Sequence, residues 1–431
     1  MKTLQLLLIL VLCVSLPLAA PVEAQNRKTE DEPEKKIKTR RTPTMRESVY
    51  KKLSEAQIAA EEKRLDDALE LIQDIGKIKK LNSYERAQMH SFSAFIFYSQ
   101  ENYTASINAY RQVLAQEDLP EALELSTLYT LAQLYLVEED YESAIEYLNR
   151  WFGVANNPNA SAYYLLATSY YQLDRFREAL APIIKAIELG EGGGATLKSR
   201  ENWYVLLRGL YFELDDYQKF ADTLVIMTRL FPKKEYWMQL SSAYGQLELE
   251  TKQLMTLEFV YRQGMFSRSQ EYTNLAQLLM QAEIPFRASV IMEEGLDKGF
   301  VESDERNLRL LSQTYVMSQE DAKAIVPLAA AAKISDNGQL YYQLANSQLN
   351  LKQDSDAADS ARKALQKGGL KRKDQVHMLL GMALYNLDRL ENAKSSFRDA
   401  QRTDKRSRKV ASQWISFINK EQQRLKQLED F

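Results

Sequence analysis

The 431-residue sequence has one cysteine, Cys13, and only two histidines, His90 and His377. Disulfide cross-linking, a Cys/His zinc cluster and a histidine-based nucleophilic centre each need several such side chains at set spacings, so none of them organises this chain. The two histidines are far apart in sequence, with no acidic or cysteine partner at ligand spacing. Each falls where the surrounding pattern carries a large packing residue, and both read as fillers of helix interfaces. Glycine is sparse and clusters once, at Gly190, Gly192, Gly193 and Gly194. That cluster lacks the Gly-Lys-Ser or Gly-Lys-Thr ending of a phosphate loop and follows no strand, so it reads as a helix terminator, a loop and a hinge. Beyond the N-terminus, no stretch approaches membrane-spanning length without charge. Catalysis, a metal and a cofactor are therefore not expected.

The one apolar run is at the start. Lys2 precedes Leu4 to Leu16, followed by Pro17, Pro21 and the small-residue pattern Val22, Glu23, Ala24. This order predicts a secretory signal peptide over residues 1–24, cut after Ala24, and hence a periplasmic mature protein without cysteine. The alternative is an uncleaved anchor, against which the two prolines count. Residues 25–48 then hold eight Lys or Arg and five Asp or Glu with almost no large apolar side chain. Such a segment cannot bury enough surface to fold and is expected to be a disordered linker. Its cations, Lys35, Lys36, Lys38, Arg40 and Arg41, offer a second reading as an arm on anionic headgroups. Membrane association is expected only indirectly or through an uncleaved N-terminus.

What the chain has in quantity is small residues at a fixed period. Ala56, Ala94, Ala132, Ala167, Ser241, Ala276, Ser312, Ala345 and Gly381 recur every 33 to 41 residues, if Arg208 is accepted as an atypical fifth member. Twelve positions after most of them stands a second small residue: Ala68, Ser106, Ala144, Ala179, Ala288, Ala324, Ala357 and Ala393. Two helix backbones approach closely only where side chains are small, so this pairing predicts a stack of about ten antiparallel helical hairpins. Phe220 and Gln253 occupy the fifth and sixth second positions. Loosened hairpins and a break in the array are expected between residues 200 and 262. After the last unit, Val410, Trp414, Phe417, Ile418, Leu425 and Leu428 keep helical spacing without the repeat, as a capping helix would.

The segment from His377 to Ala400, with Leu380, Gly381, Leu384, Ala393, Phe397 and Ala400, resembles a tetratricopeptide repeat in order and spacing. Tyr163 to Ala186 and Leu128 to Leu148 are close copies. The resemblance implies an all-α solenoid, divided here as an N-terminal array (49–190), a Gly-rich loop (191–200), a C-terminal array (201–402) and a cap with tail (403–431). It also implies that the first helix of each hairpin lines a concave face that binds protein. On this register the wall comprises Tyr129, Gln133, Tyr164, Thr168, Tyr171, Phe212, Thr273, Gln277, Arg309, Gln313, Tyr342, Asn346, Met382 and Tyr385, with Leu136, Met280, Leu349 and Met378 among them. Tyrosine, amide and aliphatic groups dominate, and Arg309 is the only charge. Such a wall suits an extended peptide, by stacking and by hydrogen bonds to its backbone. The alternative is that many of these tyrosines pack between helices. The paired Lys and Asn of a two-carboxylate clamp are missing, so an acidic C-terminal tail is not the expected ligand.

Charge is unevenly spread although the net is only −3. Residues 101–160 carry ten acidic and two basic side chains, and residues 367–409 carry twelve basic and five acidic. Opposite ends of this kind orient a partner or stack head to tail, or else are ordinary solvated faces. With the basic region local and export expected, nucleic acid is not an expected partner. The overall layout is similar to the periplasmic tetratricopeptide proteins of gammaproteobacteria associated with TonB, ExbB and ExbD energy transduction. That resemblance implies an adaptor for proteins of an envelope complex, serving iron-chelate uptake. A general envelope-assembly scaffold for cell-wall, secretion or pilus machinery and a glycan-binding solenoid are the alternatives.

Overall fold

The computed structural model describes residues 44–192 and 196–429, so the expected signal peptide and most of the expected linker lie outside the described residues. The first helices are α1 (Glu47–Glu61), α2 (Leu65–Gly76), α3 (Ser83–Ser99), α4 (Tyr103–Leu114), α5 (Glu121–Val137), α6 (Tyr141–Val154) and α7 (Ala160–Gln172). Next come α8 (Phe176–Glu191), α9 (Leu197–Glu213), α10 (Tyr217–Leu230), α11 (Lys234–Gln246), α12 (Glu250–Arg262), α13 (Ser269–Gln281) and α14 (Pro285–Asp297). The last are α15 (Glu305–Met317), α16 (Asp321–Ile334), α17 (Gln339–Asn350), α18 (Asp354–Lys367), α19 (Lys373–Asn386), α20 (Leu390–Thr403) and, after a short 3-10 turn at Lys405–Ser407, α21 (Arg408–Glu429). Among the described residues there is no strand. The helices α1 to α20 form ten hairpins, and the chain packs as two units, Met1–Thr127 and Leu128–Phe431. Within each unit the substantial contacts link a helix to the next one or two in sequence, which is the packing of a solenoid.

Each first helix ends in the same way. Lys63, Glu101, Glu139, Asp174, Asp215, Glu248, Glu283, Gln319, Lys352 and Asp388 all adopt left-handed backbone, with φ between 55° and 61°. The following amide reaches back five residues, as when Asp140 N donates to the Tyr135 carbonyl at 2.9 Å and Leu249 N to that of Tyr244 at 2.9 Å. This is a Schellman closure, which satisfies the last carbonyls of a helix and reverses the chain. None of the ten is glycine, so each turn carries the modest strain of a side chain in that region.

These turns settle the register of the middle. Asp215 and Glu248 follow Arg208 and Ser241 by the same seven residues that separate Ala132 from Glu139. Arg208 does occupy a small-residue position, and its half-buried side chain donates to Gln239 Oε1 and lies 6.0 Å from the Tyr236 ring. Contacts between α9 and α10 are sparser than between α7 and α8, as expected, yet the array does not break there. One apolar cluster, including Ile183, Ile187, Trp203, Leu207, Leu224 and Leu240, runs across the glycine-rich join. Trp203 lies so close over Gly190 that a Cβ there would overlap its ring. The join itself is confined to residues 192–196, between α8 and α9.

Close approach at the small pairs is visible where one member is serine. Ser106 Oγ donates to the Ala94 carbonyl at 2.8 Å, Ser241 Oγ to that of Gln253 at 3.1 Å and Ser312 Oγ to that of Ala324 at 3.0 Å. A short side chain bonds the backbone of the facing helix only when the two backbones nearly touch. In the last hairpin a Cβ on Gly381 would come within 2.6 Å of Phe397, a fully buried ring.

The two ends of the described chain are closed differently. Trp414 stacks on Phe397 at 5.3 Å, Ile418 is fully buried, and Lys394 donates to Gln422 at 2.8 Å, so α21 caps the last hairpin. At the start, Arg46 grips the buried Glu85 carboxylate through Nε at 2.8 Å, Nη2 at 2.6 Å and its own amide at 3.0 Å. The hydrogen bonds from Arg46 hold the Glu85 carboxyl down to about 2. Residues 44–48, which fall within the expected linker, are among the described residues, and this ion pair fixes the entry to α1.

Candidate protein-binding groove

The first helices α5, α7 and α9 carry the tyrosine-rich part of the expected wall, and most of its rings are occupied. Tyr129 lies 5.6 Å from Trp151, Tyr164 6.4 Å from Trp203 and Tyr171 5.5 Å from Phe176, centroid to centroid. Burial pushes the Tyr129 hydroxyl up to about 12 and raises that of Tyr164 as well. Phe212 packs edgewise on Tyr217 and against Phe220, yet stays 51% exposed. Gln133 is half-buried. Thr168 is buried and returns its hydroxyl to the Tyr164 carbonyl at 2.8 Å; Thr273 does the same with Gln270 at 3.2 Å. Those two hydroxyls spend their protons inside their own helices and have none to donate to a ligand. Met382 packs in the last apolar cluster, and Tyr385 is covered by Trp414 and Phe417 of the cap at 5.5 and 5.7 Å. The register placed Tyr385 correctly on the helix, but α21 closes over it.

Further along, α13, α15 and α17 leave an open groove. Met280, Arg309, Gln313, Tyr342 and Asn346 come together around a cavity of about 460 Å³, joined by Ser312, Val316, Met317, Leu328, Gln343 and Ser347. Val316 and Met317 are 45% and 49% exposed, a large apolar area for one helix turn. Arg309, Gln313, Gln343 and Asn346 are exposed around it. Tyr342 donates its hydroxyl to Gln375 at 3.3 Å, which fixes the ring between α17 and α19, and burial raises its pKa. Gln277 is exposed on α13 but does not line the cavity. Val316 obeys the same four-residue offset that selected its neighbours, so the sequence pattern contained it. Met317, Gln343 and Ser347 flank that offset, and Leu328 belongs to a second helix; only the packed arrangement of α15, α16 and α17 exposes them together.

Primary amides both donate and accept, and so match the alternating groups of a peptide backbone. The apolar strip takes a side chain, and one guanidinium can take one carboxylate. Among the described residues no group of three or more His, Cys, Asp or Glu is placed to hold a metal ion, and no helix is long and apolar enough to cross a membrane. His90 and His377 are half-buried, and burial lowers the pKa of both.

With the geometry in place, the fold is an all-α solenoid of ten hairpins of tetratricopeptide type, closed by a capping helix. A family model described as "Tetratricopeptide repeat" matches residues 374–406, and one described as "Anaphase-promoting complex, cyclosome, subunit 3" matches residues 99–186. Both support the repeat, over less than half of the chain. Among curated proteins none matches. Solved structures with a likeness include the TPR2AB-domain:pHSP90 complex of yeast Sti1, at 14% identity and a TM-score of 0.35, covering 60% of this chain and 98% of that one. A tetratricopeptide repeat protein from Parabacteroides merdae reaches 18% identity and a TM-score of 0.31, with coverages of 61% and 99%. Naa15/Naa10 bound to HypK-THB has 14% identity and a TM-score of 0.42, over 83% of this chain and 59% of that one. At such scores these likenesses carry no inference about binding.

Proposed function

We propose that this protein is a non-catalytic scaffold that holds an extended segment of a partner protein in the groove over α13, α15 and α17. Tetratricopeptide proteins generally act as protein-interaction scaffolds. One observation carries the proposal for this chain: exposed Val316 and Met317 lie beside Arg309, Gln313 and Asn346 around a single open cavity. Apolar surface kept in water costs about 25 cal/mol per Å², and a side chain with amide groups beside it is a natural occupant. The export signal in the sequence supports a periplasmic site of action, and the overall layout supports a TonB, ExbB and ExbD complex as the specific case, ahead of a general envelope scaffold. A glycan-binding solenoid is less well supported, because the rings of Tyr164 and Tyr171 pack on Trp203 and Phe176.

The test is a photo-crosslinking residue placed in cells at Gln313 or Asn346, with Arg362 on α18 as the control. The same protein adduct from both groove positions, absent from Arg362, supports the groove. Adducts of equal yield from all three positions overturn it. If the adduct is TonB, ExbB or ExbD, and a deletion strain loses growth on iron chelates, the specific case stands. Normal growth on iron chelates, with an adduct from other envelope machinery, removes it.

A further inference from the structure

The last hairpin and its cap bring two separate basic runs together. Lys371, Arg372 and Lys373 open α19, and Lys405, Arg406, Arg408 and Lys409 open α21. The two runs are joined through a buried carboxylate. Asp374 accepts Arg372 Nε at 2.9 Å and Nη2 at 2.6 Å, and also accepts Ser407 Oγ at 2.6 Å. Asp404 is taken up in the same way by Arg406, through Nη2 at 2.6 Å. The two acids of this edge are therefore neutralised within it. Lys371, Lys373, Lys405, Arg408 and Lys409 remain, all exposed, and Val410 stands among them 48% exposed.

We propose that this edge of the last hairpin binds the surface of a membrane containing anionic phospholipid, with Lys371, Lys373, Lys405 and Lys409 on phosphate headgroups and Val410 entering the interface. The choice of a lipid surface over an acidic protein segment follows from which cations are free. Two of the three arginines, Arg372 and Arg406, are locked on Asp374 and Asp404, and the third, Arg408, already spends Nε on the Gln401 carbonyl at 3.3 Å. What remains is mostly lysine, a flexible point charge that suits a diffuse anionic plane better than a fixed carboxylate. A side chain of valine size, exposed between cations, is likewise at home at a headgroup boundary. This inference is independent of the groove.

The experiment floats the purified full chain on vesicles of phosphatidylcholine, with or without about 30 mol % phosphatidylglycerol. The wild type is compared with Lys371→Gln/Lys373→Gln/Lys405→Gln/Lys409→Gln and with Val410→Ser. The N-terminal apolar run and its basic neighbours are identical in all three, so the difference isolates the patch. Each basic residue near an anionic surface contributes about fivefold, so the quadruple variant is expected to lose at least about a hundredfold in partitioning, and raised salt to weaken the wild type in parallel. Val410→Ser is expected to lose about tenfold. All four lysines are exposed, so a thermal melt should show both variants folded. Equal partitioning of the wild type and the quadruple variant overturns the proposal. So does a wild type that self-associates through the patch, seen by sedimentation, without binding vesicles; the patch would then belong to a second copy.

Discussion

The stretch from α5 to α9 and the stretch from α13 to α17 obey the same positional rule, and only one of them is open. In the first, Tyr129, Tyr164 and Tyr171 meet large rings supplied by the following helices, Trp151, Trp203 and Phe176. In the second, Arg309, Gln313 and Asn346 are exposed, and Val316 and Met317 keep about half their surface in water. An inward offset therefore selects side chains that face the inner wall, but the neighbouring helix decides whether they are free. In this chain the tyrosine-rich wall is filled by packing where the next helix is also aromatic.

The sharpest way to break this comparison is to remove a ring from the closed stretch. Trp203 is 4% exposed, and Trp203→Ala is expected to cost about 3–5 kcal/mol, read as a lower urea midpoint for the unit Leu128–Phe431. A loss below about 1 kcal/mol would mean the closed stretch is not held by its rings. Next in size is an alkaline effect. Burial raises the folded-state pKa of Tyr129 to about 12, above the ordinary value of 10.0, so its stabilisation is complete below pH 10 and disappears as pH rises toward 12. The expected loss is on the order of 2 kcal/mol, and Tyr129→Phe should flatten that part of the pH profile.

A smaller effect should be the same in both stretches. Glu139 and Gln319 hold equivalent left-handed turns, at φ 59° and 61°. Glu139→Gly and Gln319→Gly are each expected to stabilise by about 0.5–1 kcal/mol in thermal melts. Unequal gains would show that the two stretches differ in backbone and not only in side chains. Smallest of all, Met317→Ser and Gln313→Ala are expected to change stability by no more than about 0.5 kcal/mol, because these side chains are largely in solvent. A large loss there would make the groove a packing feature.

Much of the fold was legible because small residues report backbone distance directly. The intervals between Ala56, Ala94, Ala132 and their successors reappear unchanged as intervals between left-handed turns, even at Arg208, where the side chain escapes toward Gln239. The site was less legible. Arg309, Gln313, Tyr342 and Asn346 line one cavity and sit on the predicted offset. Thr168 and Thr273 sit on it too, but a threonine hydroxyl in a helix prefers the carbonyl three or four residues back, and no pattern of spacing reports that choice. Tyr385 is met by Trp414 and Phe417 of α21, and the cap lies outside the repeat, so periodicity could not show that contact. Residues 44–48 looked disordered by composition, while one arginine paired over 39 residues to Glu85 fixes the entry to α1.

The seating of Trp203 over Gly190 gives the glycine-rich join an unexpected durability. A protease that cut the peptide at Gly192 would sever the chain between two helices that share one apolar cluster, in which Ile183, Ile187, Trp203 and Leu207 all take part. The fragments would remain one particle in solution and separate only in denaturant, so the covalent thread at that point is dispensable to the assembled form.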